Sequence, residues 1–93
     1  MTVLNQSEVD VLVKENPGWK LDSGKLVRDW AFKDFVQAMA FVNRIAELAE
    51  SAGHHPDIDI RYNKVRLGLV SHDVGGITTR DAKMAARLSR ELA

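Results

Sequence analysis

Between about Asp34 and Ala52, apolar residues recur every three or four positions, at Phe35, Met39, Val42, Ile45, Ala46 and Ala49, and the polar Gln37, Asn43, Arg44, Glu47 and Glu50 fall between them. That spacing keeps the apolar set on one side of a 3.6-residue turn and predicts a long amphipathic helix. Gly53 is suited to the left-handed residue that closes such a helix, because it has no Cβ to clash there. Near the start of the chain, Ser7 with Glu8 and Asp10 reads as the beginning of a shorter helix with Val9, Leu12 and Val13 on its buried side. Pro17 requires that helix to stop by Asn16. Near the end, Thr78 followed three residues later by Asp81 resembles a capping box, ahead of a third helix that turns Met84, Ala85, Leu88 and Leu92 inward.

The remaining segments carry the two-residue period of strands. Trp19-Lys20-Leu21 and Leu26 to Phe32 are separated by Asp22-Ser23-Gly24, which predicts a hairpin with a tight turn. Ile58, Ile60 and Tyr62 alternate with Asp57, Asp59 and Arg61, and beyond Asn63-Lys64 the alternation resumes as Val65, Leu67 and Leu69. With Asn63-Lys64 as a two-residue loop, Tyr62 pairs with Val65, Ile60 with Leu67 and Ile58 with Leu69, all apolar and all on one face. Continuing this ladder sets His55 opposite His72.

The resulting order, α-β-β-α-β-β-α, groups three helices against one face of a four-stranded antiparallel sheet, a two-layer α+β fold. A chain of 93 residues is expected to form a single domain over residues 1–93 with a small core, and oligomerisation would hide more of its surface. Thirteen basic and thirteen acidic residues give no net charge, which removes the long-range attraction used by nucleic-acid or anionic-membrane partners. The absence of cysteine excludes disulfides, thiolate metal sites and thiol nucleophiles. The first ten residues, MTVLNQSEVD, carry no basic segment followed by an apolar run, and no stretch approaches the ~20 apolar residues of a membrane span, so a cytoplasmic protein is expected.

Chemistry therefore falls to oxygen and nitrogen groups, and all three histidines, His54, His55 and His72, converge on one sheet end under that register. One reading is that they are ordinary polar residues in connections. A second is a zinc site completed by Glu50, Asp57 or Asp73, against which stands the geometry of extended chain: neighbouring residues point oppositely, so His54 and His55 do not readily chelate one ion. Ser71 beside His72 lacks the surroundings of an activated nucleophile. The third reading, proton transfer, fits the set better, since imidazole gives or takes a proton near neutrality and two or three of them can serve both ends of an elimination without a cofactor. Glu50 and Asp81 are the nearby acids, and the plain alternatives are a solvated helix position for the first and a cap for the second.

At these residues the sequence resembles the pterin-4a-carbinolamine dehydratases over nearly its whole length. The resemblance rests on Glu50, His54-His55-Pro56, Tyr62, His72 and Asp81, together with the segments Phe32-Lys33-Asp34-Phe35, Tyr62-Asn63-Lys64-Val65 and Arg80-Asp81. It implies dimers or tetramers and a pterin substrate, 4a-hydroxytetrahydropterin, which loses water to give quinonoid dihydropterin after an aromatic amino acid hydroxylase has used its pterin. By the same resemblance His54 and His72 are candidate acids toward the departing hydroxyl, His55 is the candidate base and substrate anchor, and Glu50, Pro56 and Asp81 bound the substrate. Neither metal nor cofactor is implied. Many relatives carry a large aromatic shortly after His-His-Pro where this chain has Ile58, which weakens the pterin pocket on that side. Two other functions are compatible with the resemblance: a non-catalytic dimerisation or coactivator module, as in the animal members that assist a homeodomain transcription factor, and action on another pterin, for example in molybdenum-cofactor metabolism.

Overall fold

A computed structural model describes residues 2–92. The elements run α1 (Gln6–Glu15), β1 (Lys20–Asp22), β2 (Lys25–Ala31), α2 (Phe35–Ala52), β3 (Asp57–Arg61), β4 (Lys64–Leu69) and α3 (Thr79–Glu91). The four strands form one antiparallel sheet in the order β1-β2-β4-β3, so the two hairpins meet along β2 and β4. Leu26 of β2 and Val65, Leu67 and Leu69 of β4 pack with Val9 and Leu12 of α1, with Ala38, Val42, Ile45 and Ala49 of α2, and with Met84, Ala85 and Leu88 of α3. The expected two-layer α+β architecture is present. The opposite sheet face is polar, and there Arg66 forms a two-pronged ion pair with Asp29 while Lys25 meets Asp57.

Local chemistry accounts for most element ends and corrects one. Asp34 caps α2 by accepting from the Gln37 N–H, and Thr78 with Asp81 forms the expected capping box of α3. The first helix begins earlier than Ser7 suggests. Asn5 is its cap, in a capping box with Glu8, because an asparagine three residues ahead of a glutamate can bond the third N–H while the glutamate bonds back. In the first hairpin Ser23 and Gly24 both take positive φ, 53° and 79°, as the twist of a two-residue turn requires.

Two expectations from the apolar pattern are corrected. On α2 the inner line is Ala38, Val42, Ile45 and Ala49, whereas Phe35 and Ala46 are exposed. The helix carries apolar residues around more than half its circumference, so the pattern alone admits more than one inward face. In the second hairpin Arg61 pairs with Lys64, Ile60 with Val65 and Ile58 with Leu67, a slip of two residues from the expected register. A slip of two keeps the same side chains on the same face, so apolar alternation cannot detect it. Asn63 decides the matter: its carbonyl accepts from the Phe32 N–H and its side-chain amide donates to the Phe32 carbonyl, so it extends the ladder of β4 against β2. The turn is consequently Tyr62-Asn63, with Tyr62 at φ 55°. His55 and His72 are therefore not cross-strand partners.

Candidate active site

Gly53 closes α2 in the left-handed conformation, φ 67°, and the N–H of His54 bonds back to the Ala49 carbonyl. This wrap fixes His54 against the end of the helix. Pro56 disfavours helical backbone at His55, so the chain leaves extended into β3, and the two adjacent rings diverge. His54 turns inward, with 12% of its side chain exposed, and its Nε2 lies 2.6 Å from Oδ1 of Asp81. His55 turns outward, its Nε2 2.7 Å from Oε2 of Glu50 one turn back on α2.

Asp81 is fully buried, which is costly for a carboxylate unless its oxygens are filled. They are. Oδ2 accepts from the Ser71 hydroxyl at 2.9 Å and from the Thr78 N–H at 2.8 Å, while Oδ1 faces His54. Ser71, considered above only as a nucleophile, is itself buried and joins Thr78 through a 2.8 Å hydroxyl contact. One aspartate thus caps α3, anchors the segment after β4 and holds a histidine. The capping pattern was visible in sequence, but the bonds to Ser71 and His54 arise only from tertiary folding.

His72 follows that segment at the same end of the sheet, with Nε2 3.4 Å from Oδ1 of Asp57, the first residue of β3. Asp57 in turn receives Nζ of Lys25 at 2.6 Å from across the sheet. Gly68 lies beside that reach. It pairs with Asp57 on one side and Val27 on the other, and a Cβ there would lie 3.5 Å from Lys25 Cδ and 3.7 Å from Asp57 Cβ. The Lys25 ammonium holds the Asp57 carboxyl below its ordinary range, with His72 a smaller contributor. Asp57 is thus ionised across the neutral range, where an imidazole exchanges protons. From the sequence, Asp57 is recognisable only as a possible metal ligand.

Each histidine therefore has its own carboxylate: His54 with Asp81, His55 with Glu50, His72 with Asp57. Among the described residues no three of His, Asp and Glu gather closely enough to hold one ion. Pro56 is half-buried, while Tyr62 lies in the turn at the far end of β3 and Ile58 on the edge strand is 39% exposed. A cavity of about 350 Å³ opens beside His54, lined also by Ala52, Arg80, Lys83, Met84 and Arg87. A larger one, about 560 Å³, lies on the polar sheet face around Asp29, Arg61 and Arg66 and contains no histidine. Chemistry favours the smaller.

The class that fold and site define is a small two-layer α+β domain with histidine–carboxylate pairs at one sheet end. The family model described as pterin 4 alpha carbinolamine dehydratase matches residues 2–91. The chain belongs to that family. A protein of Thermomicrobium roseum, provisionally named pterin-4-alpha-carbinolamine dehydratase, is 54% identical, the match covering 96% of each chain. One of Acidobacterium capsulatum with the same provisional name is 53% identical over 95% of this chain and 96% of its own. Among solved structures, a transcriptional coactivator/pterin dehydratase from Brucella melitensis is 33% identical with a TM-score of 0.86, covering 96% of this chain and 97% of its own. A pterin dehydratase-like protein identified as a RuBisCO assembly factor in the α-carboxysome is 25% identical with a TM-score of 0.60, covering 77% of this chain and 83% of its own.

Proposed function

We propose that the protein dehydrates 4a-hydroxytetrahydropterin to quinonoid dihydropterin and water, returning pterin to an aromatic amino acid hydroxylase in the cytoplasm. The observation that carries this reading is the pairing of all three histidines with separate carboxylates at one sheet end. In the reaction the C4a–O bond breaks as the ring nitrogen's lone pair forms a C=N bond. The leaving oxygen needs a proton and the nitrogen must lose one, so an acid and a base suffice. In its acid form the His54 imidazolium donates Nε2–H to Asp81 and carries its second proton on Nδ1, the ring atom left to pass that proton to the hydroxyl. His72, steered by Asp57, is the second acid, suited to a substrate presenting its hydroxyl on the other side. His55, exposed and steered by Glu50, takes the nitrogen proton and anchors the ring. The proton gained by the base balances the one given by the acid, and water carries the oxygen away.

This reading predicts that dialysis against a strong chelator leaves the dehydration rate unchanged, while the rate varies with pH near neutrality, where imidazole ionises. Activity that falls with dialysis and returns only with added zinc would overturn the proton-transfer assignment in favour of metal-activated chemistry.

A homodimer or homotetramer is the proposed working form, and the single 93-residue domain its unit. Phe35 and Val36 at the start of α2 are 49% and 76% exposed, and burying such side chains between copies would add stability that so small a core lacks. Sedimentation at micromolar concentration is expected to give at least a dimer, and a fully active monomer would refute the assembly while leaving the chemistry standing. The coactivator and RuBisCO assembly roles of the two solved relatives favour a second reading, a coactivator or assembly module without catalysis. Action on a pterin of another pathway is the third.

A further inference from the structure

We propose that the cavity beside His54 is a subsite for an anionic substituent, a phosphate or a carboxylate, carried by the pterin. Arg80, Lys83 and Arg87 stand three and four residues apart on α3 and so present one face to that cavity. Arg80 is bonded to Asp73, but Lys83 and Arg87 meet no carboxylate among the described residues. Elsewhere Lys20, Lys25, Arg61 and Arg66 on the polar sheet face each meet an aspartate. Lys83 and Arg87 thus bring unneutralised charge to the wall shared with His54.

Helix electrostatics do not explain this stripe. Like charges at these spacings repel, and cations in the first half of a helix oppose its dipole. Only Arg90 sits where the dipole favours a cation, in the last turn. The nearby acids are otherwise engaged: Asp81 is filled by His54, Ser71 and Thr78, Asp73 is engaged by Arg80, and Glu91, four residues beyond Arg87, meets Arg44. A ligand anion would complete it, and two cations with flexible stems at a partly enclosed cavity suit a phosphate or carboxylate oxygen. A neutral hydroxyalkyl substituent would use neither charge. The inference rests on the pterin reading above and narrows it to the anionic members of that substrate class.

Fluorescence titration with three stable pterins, 6-hydroxymethylpterin, its monophosphate and pterin-6-carboxylate, tests the subsite without turnover. The anionic ligands are expected to bind about tenfold more tightly than the neutral one, with an advantage that shrinks as sodium chloride is raised. Which of the two binds better distinguishes phosphate from carboxylate recognition. In the double variant Lys83→Gln/Arg87→Gln the advantage should fall to within about twofold, whereas Arg87→Lys should keep most of it. Circular dichroism checks folding, and if the double variant is unfolded the exposed Lys83→Gln alone should reduce the advantage. Equal affinity for all three pterins, or an advantage that survives loss of both cations, would overturn the subsite while leaving the proposed reaction intact. If none of the three binds, the subsite is refuted, and carbinolamine turnover then decides separately whether the pterin reading stands.

Discussion

Replacing His55 with alanine is expected to slow carbinolamine dehydration by about 10²- to 10⁴-fold, the usual contribution of a positioned acid or base, with little change in folding stability. The ring is 65% exposed and its one charged contact, Glu50, is 81% exposed, so neither core packing nor a buried polar network depends on it. The measurement is the enzyme-dependent rate together with a urea midpoint. A normally folded variant with full activity would remove His55 from the mechanism. His54→Ala and His72→Ala should each lose less, because either acid can serve one presentation of the hydroxyl, and equal, complete loss in both would contradict that division of labour.

Asp81→Ala is expected to show the largest effect on stability, about 2–4 kcal/mol, because it leaves the Ser71 hydroxyl and the Thr78 N–H in a buried site without their shared acceptor and removes one half of the capping box of α3. Chemical denaturation measures this directly. Asp81→Asn separates the structural role from the steering role. Whichever amide atom occupies the position facing His54, one of the donors around the side chain loses its acceptor. With the amide N–H₂ toward Nε2, that nitrogen must stay unprotonated, so the doubly protonated ring that gives up its Nδ1 proton as an acid is no longer supported. Expected, then, is a folded protein of reduced stability with impaired proton delivery. Full stability and full rate in Asp81→Asn would show that the buried carboxylate is dispensable.

The contrast between these two residues also marks how far the sequence could be read. Thr78 and Asp81 were recognisable as a cap because both partners lie within one helical turn. Gly53 was recognisable because its conformation is a local requirement. The order of elements followed from switches between two-residue and 3.6-residue periods. The face of α2 did not, since Phe35, Met39 and Ala46 are as apolar as the residues that fill the core, and only packing chooses between them. The register of the second hairpin was misread by two residues because Ile58 and Ile60 stay on the same face under either pairing. The choice depends on Asn63 clasping Phe32, a contact between segments 31 residues apart. With the corrected register the histidine cluster changed character. The supposed pairing of His55 with His72 gave way to three separate histidine–carboxylate pairs, one of which, His72 with Asp57, shares its carboxylate with a lysine from another hairpin.

Those pairs make the central claim a chemical one, that the folded chain is an acid–base catalyst of carbinolamine dehydration. The most direct measurement is the decay of freshly generated 4a-hydroxytetrahydropterin, followed by ultraviolet absorbance with protein present in substoichiometric amount, beside the spontaneous reaction in the same buffer. The account predicts decay faster than the spontaneous rate, in proportion to protein concentration, and a return to the spontaneous rate when His54, His55 and His72 are all replaced by alanine. Decay at the spontaneous rate with the wild-type protein, folded and assembled, would contradict it.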